Sequence, residues 1–206
     1  NLFYFPLGGT GRRDQGNGEK MAAIIPEGTL VYGTQLPIQS QSTRYCEAWE
    51  AKAGIDELEA IAKRCDANGF HYIAVCDHIA IPKPQDEVMS TDWWDTLTTL
   101  GYLAGVTQQV NLLSHVYVLS YRHPLVSAKG WLTLDAVSKG RAILGVGGGH
   151  VEGEFELLGA DFAGRGKVLD ESIDVIRAAF DDEYPTYEGE LFHVRDAGLR
   201  PRPVRR

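Results

Sequence analysis

Cysteine is scarce in this 206-residue chain, with only Cys46, Cys65 and Cys76, an odd number and no CxxC spacing. That arithmetic gives no disulfide framework; a reduced, cytoplasmic compartment is the simpler setting, with all three thiols structural. Cations are also in deficit. Lys and Arg number 20 against 28 Asp and Glu, for a formal net charge of −8. Nucleic-acid and anionic-membrane surfaces need clustered Lys and Arg, so neither partner is expected. No apolar run approaches the roughly 20 residues that span a bilayer. Leu2 to Leu7 is too short for a signal-peptide core and has no basic flank. HxH, HExxH, GxSxG and the Walker loop are all missing, and no Cys/His cluster replaces them. A catalytic metal is therefore not expected, despite six histidines.

What remains is an ordinary globular composition, long enough for one sizeable core. Residues 1–28 stand apart. Gly8, Gly9, Gly11, Gly16 and Gly18 sit among polar residues without periodicity, which reads as a flexible N-terminal extension, and Met21 is an alternative start. Residues 29–206 form the folded domain. Its strands are expected at Thr29–Ile38, Phe70–Cys76, Val110–Leu119 and Ala142–Val146, each nearly continuous in apolar residues, as suits strands buried on both faces. Helices alternate with them. Ile55–Asn68 places Ile55, Leu58, Ile61, Ala62 and Cys65 on one face. Trp93–Gln108 follows with Asp92 as N-cap, then a helix opened by Pro124 and closed at Lys139-Gly140, then Arg165–Phe180. Residues 46–53 hold a short helix, and 187–192 a small hairpin. The alternation is that of parallel βα units with right-handed crossovers. A doubly wound open sheet and a (β/α)8 barrel both fit, with four units being half of a barrel.

The chain is organised around Arg141–Gly159, RAILGVGGGHVEGEFELLG. An apolar strand reaches Gly147, Gly148 and Gly149, then His150, then a helix. The glycine spacing is not GxGxxG, but the turn lets a ligand approach backbone. Polar residues recur at the other strand ends too: Gln35, Asp77-His78 and Ser114 to Tyr117. In either architecture that edge forms the ligand cleft. Asp77 is placed to orient a cofactor or His78, and His78 to move a proton near neutral pH. His150 is expected exposed at the cleft mouth as a second proton partner. Ser114-His115 lines a pocket floor or forms a satisfied core pair. Glu152 and Glu154 make a poor carboxylate pair, and Glu154 is expected to pack or cap beside Phe155.

Three stretches, GFHYIAVCDH, VNLLSHVYVLSYRHPLVSAKGWLTLDAVSKGR and ILGVGGGHVEGEFELLGADFAGRGKVLDESIDVIRAAF, resemble the bacterial luciferase-like monooxygenase superfamily. The nearest branch is that of oxidoreductases using the deazaflavin coenzyme F420. The resemblance runs from Thr29 to Val204 and covers the N-terminal half of the family's barrel. It implies a TIM-type (β/α)8 architecture, with about four units present and strands five to eight lacking. It implies a redox enzyme acting on a small organic substrate by hydride transfer or oxygen activation, with coenzyme F420, or alternatively FMN, across the strand ends. A homodimer is expected. By position, Asp77, Ser114, His115, Tyr117, Gly147, Gly148 and Gly149 match cofactor-contact places, and His78 and His150 are the catalytic candidates. His150 stands where some relatives place a glutamate. Pro82 stands where sugar-phosphate-oxidising relatives have tryptophan, so that substrate class is not supported. The alternative is an incomplete half-barrel that associates with another chain through its open strand edges.

Overall fold

The computed structural model describes residues 3–6, 25 and 28–204, the first four by backbone alone. The expected flexible lead over 1–28 otherwise lies outside the described residues. Phe3–Pro6 is not an irregular lead but a strand, β1.

Four parallel βα units follow: β2 (Gly33–Gln35) with α1 (Ile55–Ala67), β3 (Tyr72–Val75) with the one-turn α2 (Asp86–Met89) and α3 (Thr96–Val106), β4 (Asn111–Ser114) and β5 (Tyr117–Val118) with α4 (Pro124–Ser138), and β6 (Ala142–Gly147) with α5 (Glu152–Leu158) and α6 (Arg165–Asp181). A two-stranded hairpin, β7 (Tyr187–Glu188) and β8 (His193–Val194), comes last. The sheet runs β1-β6-β4-β3-β2, with β5 also beside β6. Among the parallel strands this order follows the sequence with no reversal. A doubly wound sheet requires a reversal and a barrel does not. The two architectures are thereby separated: the sheet is an arc of barrel, and no closed barrel forms among the described residues. The far side of β6, expected as an open edge, is covered by antiparallel β1, with Phe3 opposite Val146 and Pro6 opposite Ile143. No helix among the described residues is long and apolar enough to cross a membrane.

Strand alternation sorts the side chains. Ile73, Val75, Leu112, Leu144 and Val146 pack outward against Leu58, Leu100, Leu103, Trp131 and Ile173 of the helices. Ala74, Leu113 and Ile143 form a smaller inner row in direct register. The amino edge of the sheet is sealed by two charged groups. The Asp66 carboxylate accepts the backbone N–H groups of Gln108, Gln109 and Val110. The buried Arg141 guanidinium donates to the Ala104, Thr107 and Val110 carbonyls. The carboxyl edge is left for chemistry.

Three expected elements change. The first strand shortens to three residues because Pro37 and Ile38, the latter at φ 74°, turn the chain away after Leu36. The helix expected from Trp93 starts at Thr96 instead. Trp93 is paired with Ser40, the Trp94 N–H goes to the Gln39 carbonyl, and Asp95 is the N-cap, accepting the Thr98 N–H at 2.7 Å. The third strand is broken at a cis His115–Val116 peptide. β4 lies between β3 and β6, whereas β5 pairs with β6 alone.

Candidate active site at the carboxyl edge

Asp77 and His78 leave the end of β3 side by side, but their side chains go to different places. Asp77 turns down into the protein and is 4% exposed. Arg122 grips it with two nitrogens, Nη1 to Oδ2 at 2.6 Å and Nη2 to Oδ1 at 2.8 Å. The Thr96 hydroxyl donates to Oδ1 and the Val118 N–H to Oδ2. Arg122 is itself held over the rings of Tyr117 and Tyr121, at 4.1 and 5.0 Å from their centroids. Burial disfavours its charge, but the Asp77 carboxylate more than restores it and holds the guanidinium above its usual range. Burial, with Asp77 and Glu154 nearby, pushes the Tyr121 phenol up. Asp77 is thus the centre of a satisfied polar plug that ties β3 to the segment after the cis peptide.

His78 turns the other way. Its Nδ1 lies 2.8 Å from Glu154 Oε2. Glu154 Oε1 accepts the N–H groups of Ile79 and Ala80 at 2.6 and 3.1 Å. Burial alone would raise this carboxyl, but His78 and the two backbone donors outweigh it and hold it below its ordinary value. An ionised carboxylate only accepts, so Nδ1 carries the hydrogen and points it at Glu154. The Trp93 ring stands edge-on to His78 at 4.5 Å, and the His150 ring at 5.6 Å. His150 is exposed. Its pKa is lowered by partial burial and by His78, against the pull of Glu154.

These groups open onto a cavity of about 460 Å³ whose lining includes Gln35, Leu36, Pro37, Trp93, His78 and His150. Of the residues expected from the sequence, Gln35, His78 and His150 come together there. The others do not line it. Ser114 is buried with its hydroxyl donating to the Gly145 carbonyl and accepting the Gly145 N–H. Tyr117 is core, packed edge-on to Trp131 at 5.6 Å. His115 is exposed at the end of β4. In the glycine run, Gly149 has φ 79°, and a Cβ there would lie 2.7 Å from Phe155 and 2.9 Å from Val118. Its smallness is used by the packing of α5.

Glu154 was expected to pack or cap beside Phe155. It is instead the partner of His78, 76 residues away. One signal in the sequence pointed to it: Val151, Glu154 and Phe155 share a face of α5, and that face is buried. Arg122 and Trp93 were missed altogether.

Comparison with known proteins bears on the fold and the family. A family model described as luciferase-like monooxygenase matches residues 32–206. An uncharacterised Mycobacterium tuberculosis protein is 29% identical over 156 residues, covering 70% of this chain and 54% of that protein. Among solved structures, the monooxygenase RslO1 of Streptomyces bottropensis aligns with a TM-score of 0.71 at 22% identity, over 86% of this chain and 51% of that one. The coenzyme F420-dependent tetrahydromethanopterin reductase of Methanopyrus kandleri gives 0.63 at 22%, over 84% and 47%. The oxygenating component of 3,6-diketocamphane monooxygenase of Pseudomonas putida, solved with FMN, gives 0.63 at 18%, over 84% and 44%. The chain spans about half the length of the proteins it matches.

Proposed function

The chain belongs to the luciferase-like monooxygenase family, and from that premise we propose that it works as a deazaflavin- or flavin-dependent oxidoreductase on a small organic substrate. Coenzyme F420 is the first candidate and FMN the second. The observation that carries the reading is the His78–Glu154 pair, a carboxylate-held imidazole in the lining of a cavity walled by Trp93.

The residues present fit the ring of such a cofactor. The hollow has flat apolar walls in Leu36, Pro37 and Trp93, and polar edges in Gln35, His78 and His150. That combination suits a planar heterocycle with hydrogen-bonding rims, and the volume lies in the usual range for ligand sites. His78, Trp93 and Gln35 would hold it. When bound, the group supplies the hydride or oxygen chemistry. The chain supplies the rest. His78 takes or returns a proton at Nε2, and Glu154 fixes its tautomer and stabilises the imidazolium. His150 offers a second proton site beside it. Asp77 and Arg122 act through position: they lock the end of β3 to Val118, so the His78 backbone does not drift. Asp77, Ser114, His115, Tyr117 and Gly147 to Gly149, matched to cofactor places by resemblance, lie outside the lining of this hollow, and in this reading they support the strand ends around it rather than touch the ring.

The setting proposed is a reduced cytoplasm, which three unpaired cysteines support. A homodimer is proposed, and the outer edge of β2, with no strand partner among the described residues, supports it. The second reading is an incomplete half-barrel that associates with another chain, which the same unpaired edge of β2 also supports. Equilibrium dialysis of the protein against coenzyme F420 and against FMN tests the redox reading. It expects saturable binding of at least one, displaced by the other. Retention of neither at millimolar protein would overturn it.

A further inference from the structure

The cavity above β2 and β3 is closed by two loops, residues 36–46 and 87–94. The Gln41 N–H bonds the Asp92 carbonyl at 3.0 Å, and the Thr43 N–H bonds the Val88 carbonyl at 3.1 Å. The loops give the cavity two chemistries. Leu36, Pro37, Val88, Met89 and Trp93 make it apolar, and Arg44 brings a fixed positive charge.

Arg44 is the unmatched charge of this lining. No carboxylate among the described residues pairs with its guanidinium, although the chain as a whole is at −8. Its one contact is the Tyr45 ring, 5.5 Å from centroid to guanidinium carbon. The nearby acid is already engaged: buried Glu50 accepts the Ile38 N–H on Oε2 and the Glu47 N–H on Oε1, each at 2.8 Å. The Ser40 hydroxyl is engaged too, accepting from the Gln39 amide at 3.0 Å and bonding the Cys76 thiol. A guanidinium with five donors and no carboxylate, in a lining that also holds an aromatic wall, suits a planar anion.

We infer that the substrate is an organic carboxylate with a flat apolar body. The body lies against Trp93 and Met89, and the carboxylate is taken by Arg44. This names a substrate class for the oxidoreductase reading and rests on that reading for the reaction, but not for the binding. A cofactor phosphate tail is the other source of an anion, and the test separates the two.

Isothermal titration of the 206-residue protein with 1-naphthoate and its neutral analogue 1-naphthamide reads the preference directly. The carboxylate is expected to bind about tenfold more tightly, a modest factor because Arg44 is exposed. Arg44→Gln is expected to remove that preference and leave naphthamide affinity unchanged; Arg44→Lys should keep part of it. Equal binding of the two probes, binding of neither, or an intact preference in Arg44→Gln would overturn the inference. FMN and riboflavin form the second arm. A loss in Arg44→Gln confined to FMN would assign Arg44 to the cofactor tail and overturn the substrate assignment. If neither FMN nor coenzyme F420 binds while the naphthoate preference holds, the redox reading falls and the anion pocket stands.

Discussion

Glu154→Gln removes one charge and almost no volume, and it tests how His78 is held. Glu154 is 1% exposed and accepts three hydrogen bonds, from His78 Nδ1, Ile79 N and Ala80 N. A glutamine carbonyl can keep the two backbone donors. The amide NH₂ then faces Nδ1, which must become the acceptor, and the hydrogen moves to Nε2. Nε2, the nitrogen proposed to carry the proton, changes from acceptor to donor with no change in shape. Each charge-assisted bond is worth about 1.5–3 kcal/mol net and a neutral one about half, so the substitution costs about 2–4 kcal/mol in total. For a chain of this size that lowers the melting temperature by roughly 5–15 °C. Long-range ¹H–¹⁵N spectra of the imidazoles read the tautomer, with His78→Gln identifying the signal. Wild type should show a hydrogen on Nδ1, and Glu154→Gln one on Nε2. An unchanged tautomer together with an unchanged melting temperature would refute the reasoning.

Three further outcomes are expected. Arg122→Leu strands the buried Asp77 carboxylate and should cost about 3–5 kcal/mol in urea unfolding, much of it recovered by adding Asp77→Asn. Gly149→Ala should cost about 2–3 kcal/mol, since its Cβ would sit 2.7 Å from Phe155 at a positive φ. Gly148→Ala, whose Cβ would meet nothing nearer than 3.7 Å, should stay within about 1 kcal/mol by the same assay. Acid should weaken the fold in two steps. His150 and Glu154 both have lowered folded-state pKa values, so each contributes stability that is full above its ordinary value and is lost as pH falls. The decline should begin near pH 6.5 for His150 and near 4.5 for Glu154, where those ordinary values lie. His150→Gln should flatten the first step and Glu154→Gln the second; urea midpoints that rise on acidification would contradict this.

Three of the parallel strands were legible because Phe70–Cys76, Val110–Leu119 and Ala142–Val146 are long apolar-rich runs, whereas the first shrank to Gly33–Gln35, which is neither apolar nor fully buried. The choice between barrel and doubly wound sheet was not legible. It depends on strand order, and βα alternation is the same in both. The apolar pattern alone did not show the break after Ser114, because Tyr117, Val118 and Leu119 continue the run across it. Asp77 and His78 were read as one unit. Adjacent residues at a strand end point to opposite sides, and here that sends one to Arg122 and the other to Glu154. Both partners lie more than 40 residues away, and pairing at that range is set by tertiary packing rather than by local pattern. The glycine run was read as a ligand approach, and at Gly149 the close neighbour is Phe155.

A planar redox ring is proposed to rest in the hollow beside His78 and Trp93, and backbone and indole ¹H–¹⁵N shifts, followed while coenzyme F420 or FMN is added, locate it. Gln35, His78, His150 and the Trp93 indole N–H should move, with Asp66 and Arg141 at the opposite edge unmoved. Shifts centred on the amino edge, or none at saturating cofactor, would rule the placement out.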